Sequence, residues 1–127
     1  MSLDITPVVP VGRQLIQRYG EGGFRIANVD IDGSVIVFPD STEPWPITTH
    51  DQITLQSLSA VLDGDLKPDI LLIGSGPTFE MPPVALRNDL KAKGVVLEWM
   101  DTGAACRTFN VLLAEERSVV AALIAVT

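Results

Sequence analysis

Reactive side chains are scarce in this sequence, which holds one cysteine (Cys106), one histidine (His50) and one tyrosine. A single cysteine excludes an intrachain disulfide and points to a reducing, cytoplasmic location. One cysteine and one histidine cannot furnish a zinc site, and no Asp/Glu spacing matches a calcium loop, so no metal is expected. A Cys–His nucleophilic pair would have to join Cys106 to His50, and a lone histidine in a polar turn is ordinarily a surface residue. Long apolar runs are also missing. The longest, Val119 to Val126, falls far short of the roughly 18–20 residues that span a bilayer, so membrane insertion is not expected. The start Met1-Ser2-Leu3-Asp4 carries no basic stretch leading into an apolar one, and no secretory signal is expected from it. Positive charge is sparse too. Nine Lys and Arg stand against 16 Asp and Glu, for a net charge of −7, and the cations are scattered without interleaved aromatics. Nucleic acid is therefore not an expected partner.

What is present is an ordinary globular composition, 46% hydrophobic and 20% charged over 127 residues, with no repeat and no linker between two cores. The reading is a single α/β domain over 1–127, with an irregular N-terminal arm over 1–23 and the core over 24–127. Between Phe24 and Pro39, two apolar runs flank Asp32-Gly33, a dipeptide that tolerates positive φ; this predicts an N-terminal β-hairpin. Glu43-Pro44-Trp45-Pro46 cannot be helical, because its prolines remove donors. Leu55, Leu58, Val61 and Leu62 recur at helical spacing ahead of Gly64, predicting a short amphipathic helix.

The second half alternates more regularly. Ile70-Leu71-Leu72-Ile73, closed by Gly74-Ser75-Gly76, suits a strand buried on both faces. Pro82-Pro83 opens a helix carrying Leu86 and Leu90, with Lys91 and Lys93 near its end and Gly94 after it. Val95 to Met100 follows as a strand with Val95, Leu97 and Trp99 on one face, and Glu98 on the other places it near a sheet edge. Asp101 or Thr102 caps a further helix lined by Ala105, Phe109, Leu112 and Leu113. The β-branched run from Val119 predicts a last strand. Strand–helix–strand–helix–strand is the order of an α/β layered fold, with the last three strands parallel.

Three segments, Asp69 to Gly76, Met100-Asp101-Thr102, and Ala105 to Leu112, resemble as a set the conserved-hypothetical family that includes the mitochondrial complex I assembly factor 3 and the adipogenesis-associated small domain proteins. The match runs from Pro68 to Ile124. The chain departs from the family pattern at Ser75 (commonly Thr), at Phe109 (commonly Tyr, so a hydroxyl is lost) and at Glu116 (usually Gly). The resemblance implies a three-layer domain around a mixed sheet of about five strands, at least one of them antiparallel. It also implies work through protein contacts, with no settled catalytic activity and no cofactor.

Candidate chemistry gathers at two strand ends. Gly74, Ser75 and Gly76 stand where open α/β sheets bind ligands, and their N–H groups could hold an anion; the alternative is a plain turn. The third glycine of a dinucleotide fingerprint is replaced by Phe79, and no phosphate-loop lysine follows, so neither NAD nor ATP is expected. Asp101, Thr102, Cys106, Arg107, Thr108 and Asn110 form the densest polar group. A thiol near a helix N-terminus can be nucleophilic, but Cys106 on a partly apolar helix reads better as packing. Arg107 reads as pairing with Asp101 or Glu98, against contact with an anion or partner, and Asn110 as bonding a loop backbone. The leading expectation is a non-enzymatic interaction or assembly module that self-associates through its N-terminal portion, with Pro7 to Val11 and Trp45 as anchors. Its rival is a small-anion-binding protein or enzyme with a site between the 74–76 turn and the Asp101–Arg107 segment. An exposed apolar patch would favour the first reading, and a convergent pocket at the strand ends the second.

Overall fold

Two sheets organise the chain in the computed structural model, which describes residues 10–65 and 67–127. The first is antiparallel and has the order β1 (Ile16–Gly20), β2 (Gly23–Ile26), β3 (Val29–Asp32). Its two connections are both two residues long. Glu21 and Gly22 have φ of 53° and 79°, and Ala27 and Asn28 have φ of 49° and 68°, so each loop places both central residues in the left-handed region, as the right-handed twist of a tight hairpin requires. Residues 16–20, expected within an irregular arm, are therefore a strand. Of the residues expected to anchor an interface, Pro7, Val8 and Val9 lie outside the described residues.

The second sheet has five strands in the order β5 (Thr42–Pro44), β4 (Val35–Val37), β8 (Val119–Leu123), β6 (Ile70–Gly74), β7 (Val96–Met100). β7, β6 and β8 run parallel, and β4 is antiparallel to both β8 and β5. The last three strands are thus parallel as expected, and β4 supplies the antiparallel pairing. The N-terminal hairpin exists, but it does not close at Asp32-Gly33. Gly33 turns with φ of 85°, and the chain then leaves one sheet for the other. The cause lies in the flanking residues. Val35, Ile36 and Val37 are all buried, whereas β3 exposes Val29, Asp30 and Asp32; a run apolar on both faces belongs inside a covered sheet, and a half-polar one belongs outside.

The five-stranded sheet is the middle of three layers. One face carries Ile36, Leu71, Ile73, Leu97, Trp99, Val120 and Ala122 and is covered by α1 (Ser59–Leu62), α2 (Val84–Ala92) and the segment from Trp45 to Leu58. The other face carries Val35, Val37, Leu72, Val119, Ala121 and Leu123 and is covered by α3 (Thr102–Ala114) and the three-stranded sheet. This is the expected three-layer α/β arrangement. The predicted 54–62 helix is a 3-10 turn, Gln56–Leu58, continuing into the single turn of α1. Trp45, expected at an interface, is only 4% exposed, and its indole N–H donates to the Ser57 carbonyl at 2.8 Å; it covers the sheet within its own chain. β7 is an edge strand, as Glu98 implied, with Leu97 and Trp99 inward and Val96 and Glu98 outward. Among the described residues, no helix is long and apolar enough to cross a membrane.

Candidate functional site

The eight candidate residues separate into two groups. Gly74, Ser75, Gly76, Asp101 and Thr102 form a closed knot where β6, β7 and β8 end. Thr102 is fully buried; its hydroxyl donates to the Ile124 carbonyl at 2.7 Å and accepts from the Gly76 N–H at 3.1 Å, while its own N–H donates to the Gly76 carbonyl at 2.9 Å. The Ser75 N–H donates to the Met100 carbonyl and the Ser75 hydroxyl to the Thr78 carbonyl. A side chain at Gly74 would come within 3.0 Å of the Thr102 backbone and Leu123, so this glycine permits close approach of strand and helix. Asp101 is the N-cap of α3, accepting from the Ala104 N–H at 2.9 Å. The Ser75 and Gly76 N–H groups that an anion would need are therefore already in use, and so is the cap.

Cys106, Arg107 and Asn110 lie further along α3 and face β1. Asn110 brackets the Ile16 backbone, donating to its carbonyl at 2.8 Å and accepting from its N–H at 2.9 Å, which ties a strand rather than a loop to the helix. Burial pushes the Cys106 thiol up to about 12, with Arg107 opposing weakly, so the sulfur is held protonated and is a poor nucleophile at neutral pH. His50 belongs to the segment covering the opposite face of the sheet and lies 3.9 Å from Glu80, which leaves Cys106 without an imidazole. The Arg107 guanidinium reaches the Tyr19 hydroxyl at 3.3 Å. The expected ion pair with Asp101 or Glu98 does not form, because β1 lies along this face of α3 and Tyr19 occupies the space beside Gly103. Cys106, Arg107 and Asn110 line, with residues 16–19, an open cavity of about 330 Å³.

Two features escaped the sequence reading. Residues 16–19 complete this second group, although Ile16 and Tyr19 gave only a short and irregular apolar signal. Beside the knot, the loop after β6 exposes Phe79 and Met81 at 57% and 80%, and Val84 at the start of α2 is 73% exposed. A phenylalanine and a methionine between three prolines were the available sign.

The fold is that of a structural class, the Mth938-like α/β domains. A solved Bordetella pertussis protein described as such a domain superposes with a TM-score of 0.77 at 28% identity, covering 98% of this chain and 92% of that one. The chain belongs to the family described as proteins of unknown function DUF498/DUF598, whose model matches residues 16–124. A Bartonella henselae structure described as an outer membrane protein is 42% identical with a TM-score of 0.83, covering 92% of this chain and 98% of that one. An uncharacterized protein of Rhodobacter capsulatus is 37% identical over 86% of this chain and 82% of its own length. The NADH dehydrogenase [ubiquinone] 1 alpha subcomplex assembly factor 3 of Danio rerio is 33% identical over 87% of this chain. That match spans 63% of the assembly factor's length.

Proposed function

We propose that this protein is a non-enzymatic assembly module that works by protein contacts, in the maturation of a respiratory NADH dehydrogenase. The observation that carries the reading is the exposed apolar segment at 79–84, where Phe79, Met81 and Val84 face outward within six residues; clustered exposed apolar side chains mark surfaces meant to be covered. The assembly role of the eukaryotic relatives supports the same reading. Gly74, Ser75, Gly76, Asp101, Thr102 and Asn110 are given structural parts in it, closing strand ends and holding β1. The competing reading, a small anion held between the 74–76 turn and the Asp101–Arg107 segment, has less behind it, because the turn's N–H groups have internal partners.

The test is made in the source organism. Deletion of the gene is expected to reduce assembled NADH dehydrogenase on native gels, and the triple variant Phe79→Ser/Met81→Ser/Val84→Ser, folded by circular dichroism, to fail to restore it. Normal enzyme levels in the deletion strain overturn the reading. In the same reading the protein acts in the cytoplasm; recovery with outer membranes on fractionation would overturn that part.

A further inference from the structure

Among the described residues, β7 is bonded on one side only, by β6. The Val96 N–H donates to the Asp69 carbonyl and the Met100 carbonyl accepts from Ser75, so the peptide groups of Val96, Glu98 and Met100 point inward. Alternation then turns those of Val95, Leu97 and Trp99 toward the open edge. The Val95 N–H is used by the Leu90 carbonyl, and the Leu97 carbonyl accepts from Arg87 at 3.3 Å. Left without a partner among the described residues are the Val95 carbonyl, the Leu97 N–H and both groups of Trp99, a spacing that one extended strand can satisfy. Beside them runs a groove of about 410 Å³ between α2 and β7, lined by Arg87, Lys91 and Gly94 to Leu97.

The charge around this groove selects the occupant. Arg87 and Lys91 sit one helical turn apart, and Lys93 follows, giving three of the nine cations of a chain whose net charge is −7. A second copy of this chain is a poor occupant. Antiparallel pairing of two β7 edges would set one α2 beside the other, like charge beside like charge at Arg87 and Lys91, and in the register that pairs Leu97 with Trp99 would also oppose two Glu98 carboxylates on the other face. Deepening the assembly reading above, we propose that the open edge of β7 takes an extended, acidic segment of a partner protein as a sixth strand, its peptide groups pairing with Leu97 and Trp99 and its carboxylates meeting Arg87 and Lys91.

The probe is a capped peptide of alternating valine and glutamate, with a valine–lysine peptide as control, followed by amide hydrogen exchange and NMR shifts on the full chain. The Leu97 and Trp99 amides are expected to exchange fast in the free protein and to become protected with the glutamate peptide only. Arg87→Glu/Lys91→Glu, two exposed changes outside the core, is expected to weaken that binding by at least about tenfold. No protection of Leu97 and Trp99 at millimolar peptide, equal protection by the lysine peptide, or protection arising from dimerisation of the free protein would each overturn the proposal and leave the cations as guards against edge pairing. Failure here is separable from failure of the assembly reading. If the gene deletion lowers NADH dehydrogenase but the Arg87→Glu/Lys91→Glu gene restores it fully, the edge proposal falls alone.

Discussion

Among the described residues, β8 of the five-stranded sheet is buried along all five residues and paired on both sides, whereas β3 of the three-stranded sheet exposes three of its four residues and pairs on one side only. The inner sheet is held by apolar burial on two faces and by the Thr102 knot. The outer sheet buries Ile16, Phe24 and Ile26 in the core, packs Ala27 and Ile31 against it in part, and adds polar ties. Arg18 and Arg25 reach Asp30 at 3.4 and 3.1 Å, with all three side chains at least 40% exposed, and such pairs are worth little in water. The stronger tie is Asn110, whose two hydrogen bonds grip β1 from α3. The same fold thus joins a sheet that resists opening to one that opens at lower cost, and each clamp is a single side chain.

Removing the inner clamp carries the largest effect. Thr102→Val keeps the shape and strips the Gly76 N–H and the Ile124 carbonyl of their partner in a buried site, for an expected loss of about 2–4 kcal/mol in urea unfolding. A loss below about 1 kcal/mol would mean that the knot does not hold the strand ends. Asn110→Ala is expected to cost less, about 1–2 kcal/mol, and to act locally. Amides of β1 and β2 should exchange faster while those of β6 and β8 keep their protection. Uniform acceleration across both sheets would erase the distinction between them.

Cys106 lies between α3 and the outer sheet, so its reactivity reports on the same boundary. With the native thiol pushed up to about 12 by burial, both folded and unfolded states hold the proton at neutral pH. Above about pH 8.5 the unfolded thiol ionises first, so this group's contribution to stability is complete below that pH and is lost as pH rises toward 12. Native alkylation at pH 8 should be slow, and Asn110→Ala should speed it by loosening the cover. Fast alkylation of the native wild type would show that the thiol is not shielded.

How much of this was legible in the sequence follows the same division. Ile70 to Ile73 and Val119 to Leu123 are apolar on both faces, and a continuous apolar run has few places to go except the middle of a covered sheet. The α3 cap at Asp101 and the edge position of β7 were legible for equally local reasons. The outer sheet was not, because β1 mixes Ile16 and Tyr19 with Gln17 and Arg18 over a bulged register, and its partner is an asparagine 94 residues away. Asp32-Gly33 misled because a residue at positive φ serves a sheet-to-sheet crossing as well as a hairpin. Glu116 was read as a departure from a usual glycine, and the structure gives that a physical meaning. It has φ of 58°, and the Glu116 and Arg117 N–H groups donate to the Leu113 and Leu112 carbonyls, the helix-ending arrangement that glycine fills without strain. Of the candidate site, the strand-end position of the 74–76 turn and of Asp101 was legible, but not that Thr102 closes onto that turn while Cys106, Arg107 and Asn110 face β1. The role of the turn was not legible either, since sequence cannot say whether N–H groups at a strand end meet a ligand or a threonine hydroxyl.

Arg107 carries the smallest expected effect and the sharpest choice. Had it paired with Asp101 or Glu98, its removal would have left a carboxylate poorly compensated. Instead its side chain is exposed, its hydrogen-bond partner is the Tyr19 hydroxyl at 3.3 Å, and among the described residues no carboxylate lies within 4.0 Å of it. A long, solvated, neutral-partner contact offsets little of the entropy of ordering an arginine, so Arg107→Ala is expected to change stability by no more than about 0.5 kcal/mol, or about 2 °C in melting temperature for a chain of this size. The guanidinium also lines the cavity between β1 and α3 beside Arg18, and the melt should be repeated with phosphate and with a small dicarboxylate. Equal shifts in wild type and variant are expected. A stabilisation by either anion that disappears in Arg107→Ala would move this cavity from the structural column to the functional one and revive the anion-binding reading at a place offset from the 74–76 turn.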